Sequence, residues 1–510
     1  RAGGCESRPN NARKNTYPIL QRCQPTQLRA RIDEGTRVRV RMSASVHALP
    51  RVVRSPASRS SVASPSHRSV RGTAMASVTS DVNAEVDKAA ALLSWLAKVT
   101  NDPGIESRVA LGTTRHGRGL VALRNLVPNE VIFNVPWRLV LAEDHDEADA
   151  SDLPWSALMA ARLLEERHAN GERARWIESL PTLVSTPPLE YTEHELAACE
   201  DAKAIAEATS TRDAHLAAYQ TLKPRLDAVE CTERDLRWAT GALHSRCFTH
   251  GNRGTHLAVP GVDMCNHDFA GANAAVAVVT SPEDVQGVAA TAEIADVGDG
   301  DTNGGTNGDT NGDTDGDDMF FQLRAGEDGV EQGDEVTISY GPWPNDPFFL
   351  YFGFVPEGNP NDAVVLFDEI NDVAMCAARL DMMSTAEAGE RAAAAAAAWD
   401  EEEKNGGGGA PTRMVITREG IDEGVMRAAA ALDLDGTDAL NALLEGRCKE
   451  LLREYPTKLK EDRGLLMSGT LSENEFTSTL YKMSKKEVLL GPLAAAAARQ
   501  REAGGTIMQV

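Results

Sequence analysis

The chain has 510 residues and a net charge of −24, a length at which two or three domains are expected rather than one core. Its 42% hydrophobic share suits globular packing, and no stretch approaches the ~20 apolar residues that span a bilayer, so no membrane partner is expected. The eight cysteines contain no C-x-x-C pair, which argues against a zinc site or disulfide framework and for a reducing compartment.

The charge is unevenly spread. Residues 1–80 hold 15 basic residues against Glu6, Asp33 and Glu34, a balance of +12, which leaves the rest of the chain at −36. A body that acidic is repelled by phosphate backbones, so nucleic acid is not expected as a partner, whereas a basic protein is easier to accommodate. The chain begins with arginine, and Met42 is the expected start. From Met42 to Ser80 there are five arginines, many serines and no acid. That composition matches an organelle transit peptide, with a disordered tail as the ordinary alternative. Serine dominates over amphipathic spacing, which points to the chloroplast, with cleavage expected between Val70 and Ala76.

Ordered sequence is expected from Ala84. Ala89–Leu93 with Trp95 and Leu96 predicts a short amphipathic helix. Strands are predicted at Arg108–Leu111, Gly119–Leu123 and Glu130–Asn134, punctuated by Gly112, Gly117 and Pro128-Asn129. Helical periodicity follows from Trp155 to His168. Thr192 with Glu195, and Thr232 with Asp235, read as capping boxes that start two further helices. Residues 145–245 are therefore expected to form a helical insertion in a β-rich unit. Strands resume at Thr255–Val259, Ala274–Val279, Met319–Arg324 and Glu335–Ser339.

Residues 296–318 are near-repeats of Gly-Asp-Thr-Asn and predict a solvated loop. Asp299, Asp301, Asn303 and Gly304 match the opening of a calcium loop, but Thr310 stands where a bidentate Glu is needed, so no metal is expected. After Phe367 an alanine run (Ala392–Ala398) and the Gly406–Gly409 linker mark a separate helical domain, 368–497. Within it, Glu454-Tyr455-Pro456-Thr457, Glu461-Asp462 and Leu465-Leu466 lead to a long helix from Ser472 to Leu490 with a basic face (Lys482, Lys485, Lys486).

Three segments carry polar groups that folding alone does not ask for. Arg115-His116-Gly117-Arg118-Gly119 lies between two strands, where paired glycines permit close backbone approach; a hairpin turn reads the same way. Val259–Asp268 crowds Asp263, Asn266 and His267 after an apolar strand, which fits either a site or an Asx-rich turn. Gly333–Gly341 ends a strand in Tyr340-Gly341, setting a phenol at a sheet edge, where packing tyrosines are also common.

Taken in order, these segments resemble the SET-domain methyltransferases, specifically the Rubisco large-subunit lysine methyltransferase-like group. The resemblance covers Ile105–Phe367 and extends more weakly through Glu454–Leu490. Trp176–Pro181, Ser245-Arg246-Cys247-Phe248 and Tyr351-Phe352-Gly353-Phe354 add to it. It implies an α+β fold: a β-rich SET domain (84–367) of small sheets with a knot-like closure and an inserted helical subdomain, then a C-terminal all-helical substrate-binding domain. It also implies S-adenosyl-L-methionine as cofactor, transfer of its methyl group to a protein lysine, and no metal.

Residue by residue, the resemblance puts His116, Gly117 and Arg118 on the first cofactor loop and Asn266 and His267 in the Asn-His pair that holds the cofactor. Tyr340 takes the catalytic position. Arg246 and Asp263 fall at positions lining the substrate and cofactor clefts, and Phe352 where many relatives carry a cofactor-contacting tyrosine. Asp268 replaces the usual serine and His116 an acid. A lysine must be neutral to attack the methyl, so an apolar channel that destabilises the ammonium is expected, with Phe348, Phe349 and Phe352 as candidate walls. The expected substrate is a protein of the chloroplast stroma, Rubisco large subunit or a stromal aldolase, and a monomer is expected. Protein-histidine methylation and a non-catalytic SET-fold binding module are the alternatives.

Overall fold

The computed structural model describes residues 88, 90–144, 153–250, 254–269, 271–280, 319–406, 409–411 and 413–502. The predicted leader (1–80) and acidic loop (296–318) lie outside these. Contacts unite Asp81–Val510 as one compact unit.

In chain order, helix α1 (residues 90–99) precedes strands β1 (Val109–Thr114), β2 (Gly117–Ala122), β3 (Val131–Pro136) and β4 (Leu141–Ala142). Helices α2 (Trp155–Ala169), α3 (Ala174–Ser179), α4 (Glu193–Ala197), α5 (Ala202–Ala228) and α6 (Glu233–His244) follow. The chain then returns to strands: β5 (Phe248–His250), β6 (Thr255–Ala258), β7 (Asn266–His267), β8 (Ala274–Val279), β9 (Phe320–Ala325) and β10 (Glu335–Ile338). A π-helical turn, Phe348–Phe352, leads to β11 (Ala363–Phe367), α7 (Ile370–Arg379), α8 (Thr385–Lys404) and β12 (Met414–Thr417). Helices α9 (Glu423–Ala431), α10 (Thr437–Glu454), α11 (Leu459–Ser468) and α12 (Glu473–Glu502) complete it.

Three small sheets build the β-rich part, in the orders β1-β2-β10-β7, β3-β9-β8 and β4-β6-β5. In the first, β7 runs parallel to β10, with Thr337 opposite Asn266 and Ile338 opposite His267. A two-residue parallel pairing cannot come from a hairpin; the chain must leave and return. This pairing sets the end of β7 beside the end of β10.

Five helices, α2 to α6, occupy the stretch from Trp155 to His244. Both capping boxes close as read: Thr192 with Glu195 starts α4, and Thr232 with Asp235 starts α6. Each cap satisfies backbone donors that a first helical turn leaves open. The alanine run lies in α8, which buries Ala388, Ala392, Ala395 and Trp399, a spacing of three and four that selects one face.

Two features depart from expectation. The helical C-terminal domain contains a strand, β12, which pairs antiparallel with β11; its four residues follow a Gly-rich linker and are too short to announce a period. The basic face of the long helix is buried. Lys482, Lys485 and Lys486 are 3%, 2% and 1% exposed, drawn inward by Glu200, Asp346, Asp362 and Asp462. Burying unpaired ammonium groups costs several kcal/mol each, so each sits against carboxylates.

Beside them, Phe349 and Leu350 of the π-helical turn, Tyr191 and Leu196 of the insertion and Tyr481 of α12 share one apolar cluster. The Phe349 and Tyr481 rings stack 4.4 Å apart. The C-terminal helix is thus packed directly onto the segment that follows β10.

Candidate active site

β2 enters the site through a turn that only glycine serves well. Gly117 has φ +103°, and a Cβ placed on it would meet nothing within 4 Å, so the turn borders open space. Gly119 is needed for the opposite reason: a Cβ there would come within 2.6 Å of Asn266 Nδ2 and 2.7 Å of Glu335 Oε1. The close approach lets the Asn266 amide donate to the Arg118 carbonyl at 3.1 Å and to Glu335 Oε1 at 2.7 Å.

Glu335 joins all three segments. Besides Asn266, its carboxylate accepts from Thr114 Oγ1 at 2.8 Å and faces His116 Nδ1 at 3.0 Å. The sequence alone gives it no role, because an acid at the first position of a strand does not announce partners more than 200 residues away. Arg115 reaches Asp268 in an ion pair, so the replacement of serine at 268 also ties the first loop to the second. Arg118 donates to the Ser179 carbonyl at 2.9 Å, anchoring the loop to α3.

The next layer is aromatic. The Tyr340 amide donates to His267 Nδ1 at 3.0 Å, and the two rings lie 5.1 Å apart. Phe348 stacks on His267 at 5.0 Å and Phe352 lies 5.4 Å from Tyr340. The Tyr340 hydroxyl donates to the Cys265 carbonyl at 2.7 Å. Burial pushes this phenol well above its ordinary pKa, although nearby Arg246 pulls the other way. It stays protonated and therefore remains a donor. Burial lowers His267 to about 4, so the imidazole is neutral. With Nδ1 accepting, its proton sits on Nε2, which is enclosed with no hydrogen-bond partner among the described residues.

The structure therefore brings His116, Gly117, Arg118, Asn266, His267, Tyr340 and Phe352 to one place. Two expectations change. Asp263 lines no open cleft: its side chain is 0% exposed and holds the Trp176 indole at 3.1 Å and the Gly261 amide at 2.9 Å. Arg246 donates to the Asp263 carbonyl at 2.6 Å, supporting the turn that leads through Cys265 into β7. Phe349 is no channel wall, since its ring packs between Tyr191 and Tyr481, away from Tyr340; Phe348, equally buried, packs on His267, and Phe352 lies beside Tyr340.

Residues 368–489 match the family model described as Rubisco LSMT substrate-binding. The structure superposes on the SET domain of LSMT bound to lysine and AdoHcy with a TM-score of 0.56, covering 82% of this chain and 92% of that one at 19% identity. The chain carries the Rubisco LSMT-like SET fold. A second solved structure, Rubisco LSMT bound to AdoMet, gives a TM-score of 0.54 over 81% of this chain and 92% of that one, again at 19% identity.

Two curated relatives resemble this chain over most of its length. The chloroplastic ribulose-1,5 bisphosphate carboxylase/oxygenase large subunit N-methyltransferase of Nicotiana tabacum is 23% identical over 78% of this chain and 79% of its own. The actin-histidine N-methyltransferase of Rattus norvegicus is 22% identical over 78% of this chain and 66% of its own. Within the fold, β2, β7 and β10 hold the three segments singled out above.

Proposed function

We propose that this chain is an S-adenosylmethionine-dependent protein-lysine N-methyltransferase acting on a chloroplast protein, with Rubisco large subunit as the first candidate substrate. The observation that carries the reading is the convergence of His116, Asn266 and Glu335 with the His267–Tyr340 pair, from segments far apart in sequence.

The residues present fit the cofactor. Open space borders Gly117, the Glu335 carboxylate adds negative charge, and the enclosed His267 Nε2–H lacks a protein acceptor among the described residues. His116, Gly117, Arg118, Asn266 and His267 would hold it, with Phe352 closing the aromatic side. Bound there, S-adenosylmethionine supplies a methyl group activated by a sulfonium.

The chain's own groups then act by placement. Tyr340, fixed through its amide by His267 and through its hydroxyl by the Cys265 carbonyl, holds a protonated phenol beside the aromatic wall. Phe348 and Phe352 make that wall apolar, which favours the neutral amine of an incoming lysine over its ammonium. The proton leaves to solvent before attack. Orientation and fixed dipoles supply the rate gain, with no covalent intermediate.

Protein-histidine methylation is the second reading, favoured by the actin-histidine relatives at 22% identity. An imidazole is already largely neutral near pH 7–8 and asks less of the apolar wall. Chloroplast stroma as location draws on the "chloroplastic" names of the Nicotiana tabacum and Pisum sativum relatives and on the acid-free, Arg- and Ser-rich stretch of 42–80. Incubating residues 81–510 with tritiated S-adenosylmethionine and a stromal extract tests the substrate class. Label in a protein band supports the proposal, and a band at the Rubisco large subunit names the target. An unlabelled extract contradicts it.

A further inference from the structure

The ion cluster under α12 has two halves that reach different places. Lys482 and Lys486 pair with Glu200 and Asp462, joining the insertion to α11. Lys485 turns the other way. Its ammonium donates to Asp346 at 2.6 Å, to Asp362 at 2.9 Å and to the Ala363 carbonyl at 2.8 Å. Buried ion pairs are weak devices for stability, since apolar residues of equal volume often do as well; their attested use is to fix one geometry.

From Lys485 a continuous set of hydrogen bonds runs to the site. Asp362 accepts from the Asn345 amide side chain at 2.9 Å and from its backbone N–H at 3.2 Å. The same Asn345 side chain donates to Ser484, the neighbour of Lys485, at 3.0 Å. Asn359 then donates to Asn345 Oδ1 at 2.8 Å and to the Trp343 carbonyl at 2.9 Å. The Trp343 indole donates to the Tyr340 carbonyl at 2.8 Å. Asn345, Asn359 and Asp362 are at most 1% exposed, and both side-chain amide protons of Asn345 and of Asn359 are used. Such a network has little freedom to relax when one member is lost.

We infer that Lys485 is a positioning residue for Tyr340, acting from the C-terminal domain through Asp362, Asn345, Asn359 and Trp343. The inference rests on the reading of Tyr340 as the catalytic tyrosine. The domain matched to substrate binding would then also set the geometry of the phenol on the SET side. Burial opposes the Lys485 ammonium, but Asp346 and Asp362 outweigh it and raise its pKa, so the charge that organises the network persists at working pH.

The test uses the chain of residues 81–510 with Lys485→Met, the milder Ser484→Ala, and Lys482→Met as the control that breaks only the other half of the cluster. Transfer of tritiated methyl to Rubisco holoenzyme gives kcat and the S-adenosylmethionine KM. Fluorine NMR of 5-fluorotryptophan protein, with the Trp343 line assigned from Trp343→Phe, reads the network without any turnover. Lys485→Met is expected to lower kcat about tenfold, within the range for disrupted coupling networks, to leave KM within about twofold, and to move the Trp343 line. Ser484→Ala should do the same to a smaller degree and keeps the test valid if Lys485→Met does not fold. Lys482→Met should change neither readout. An unmoved Trp343 line in folded Lys485→Met or Ser484→Ala, or an equal kcat loss in Lys482→Met, overturns the inference. Absence of wild-type transfer to Rubisco would count against the proposed substrate alone, because the fluorine readout still decides the role of Lys485.

Discussion

The backbone amide of Tyr340 donates to Nδ1 of His267 at 3.0 Å, across a parallel strand pair whose members are separated by about seventy residues of chain. One hydrogen bond thus fixes the tautomer of the imidazole and the placement of the tyrosine. Its strength depends on the imidazole staying neutral.

That dependence predicts a pH effect with a definite sign. Burial lowers the His267 pKa from 6.5 to about 4, so between these values the unfolded chain binds the proton and the folded chain does not. Stability therefore falls as pH drops through that window, by up to about 1.4 kcal/mol per pH unit for this group. Urea titrations at pH 7, 6 and 5 should show wild type losing more stability on acidification than His267→Gln, which has no proton to take up. Parallel losses would contradict the assignment.

Tyr340→Phe removes the donor to the Cys265 carbonyl while keeping the ring that packs on Phe352. Turnover is expected to fall about 10²- to 10³-fold, the loss typical of a preorganised donor, with S-adenosylmethionine affinity by calorimetry within about twofold of wild type. Unchanged turnover would remove the hydroxyl from the mechanism.

Glu335 and Asn266 share one hydrogen bond and should act as a unit. Asn266→Ala and Glu335→Ala are each expected to weaken cofactor binding about tenfold, close to 1.4 kcal/mol. The double variant should lose clearly less than the sum, because contacting residues in one network are not independent. Strict additivity in calorimetry would show that the two act separately.

The two glycines of the first loop should respond to alanine for different reasons. At Gly119 the added methyl collides with Asn266 and Glu335, and overpacking of this kind costs about 1–3 kcal/mol. At Gly117 there is room, and the stability penalty is the positive φ alone, about 1–2 kcal/mol. Both substitutions should weaken cofactor binding, Gly117→Ala because its methyl enters the space beside the cofactor loop and Gly119→Ala because it displaces Asn266 and Glu335. Unchanged cofactor affinity in Gly119→Ala by calorimetry would argue against the contact.

Much of this architecture is legible in the residues. The strands are bounded by Gly and Pro-Asn turns, and Thr192 and Thr232 announce their helices by local spacing, so a short window of sequence contains the cause. What stays hidden depends on partners distant in the chain. Lys482, Lys485 and Lys486 read only as a basic helix face because Glu200, Asp346 and Asp362 lie more than 100 residues away. Glu335 reads only as the first residue of a strand for the same reason, its partners Thr114 and His116 being on the opposite side of the insertion. Phe349 and Phe348 are adjacent and chemically identical, and only the π-helical turn decides that one faces Tyr481 and the other His267. The resemblance puts Asp263 at a cleft, whereas the indole of Trp176 and the amide of Gly261 claim its carboxylate.

The most direct measurement is the chemical form of the transferred methyl. Residues 81–510 are incubated with methyl-labelled S-adenosylmethionine and Rubisco holoenzyme or stromal protein, and the labelled product is hydrolysed to amino acids for mass spectrometry. The account predicts label in methylated lysine, abolished in Tyr340→Phe. Label in methylhistidine, or transfer that survives loss of the Tyr340 hydroxyl, would contradict it.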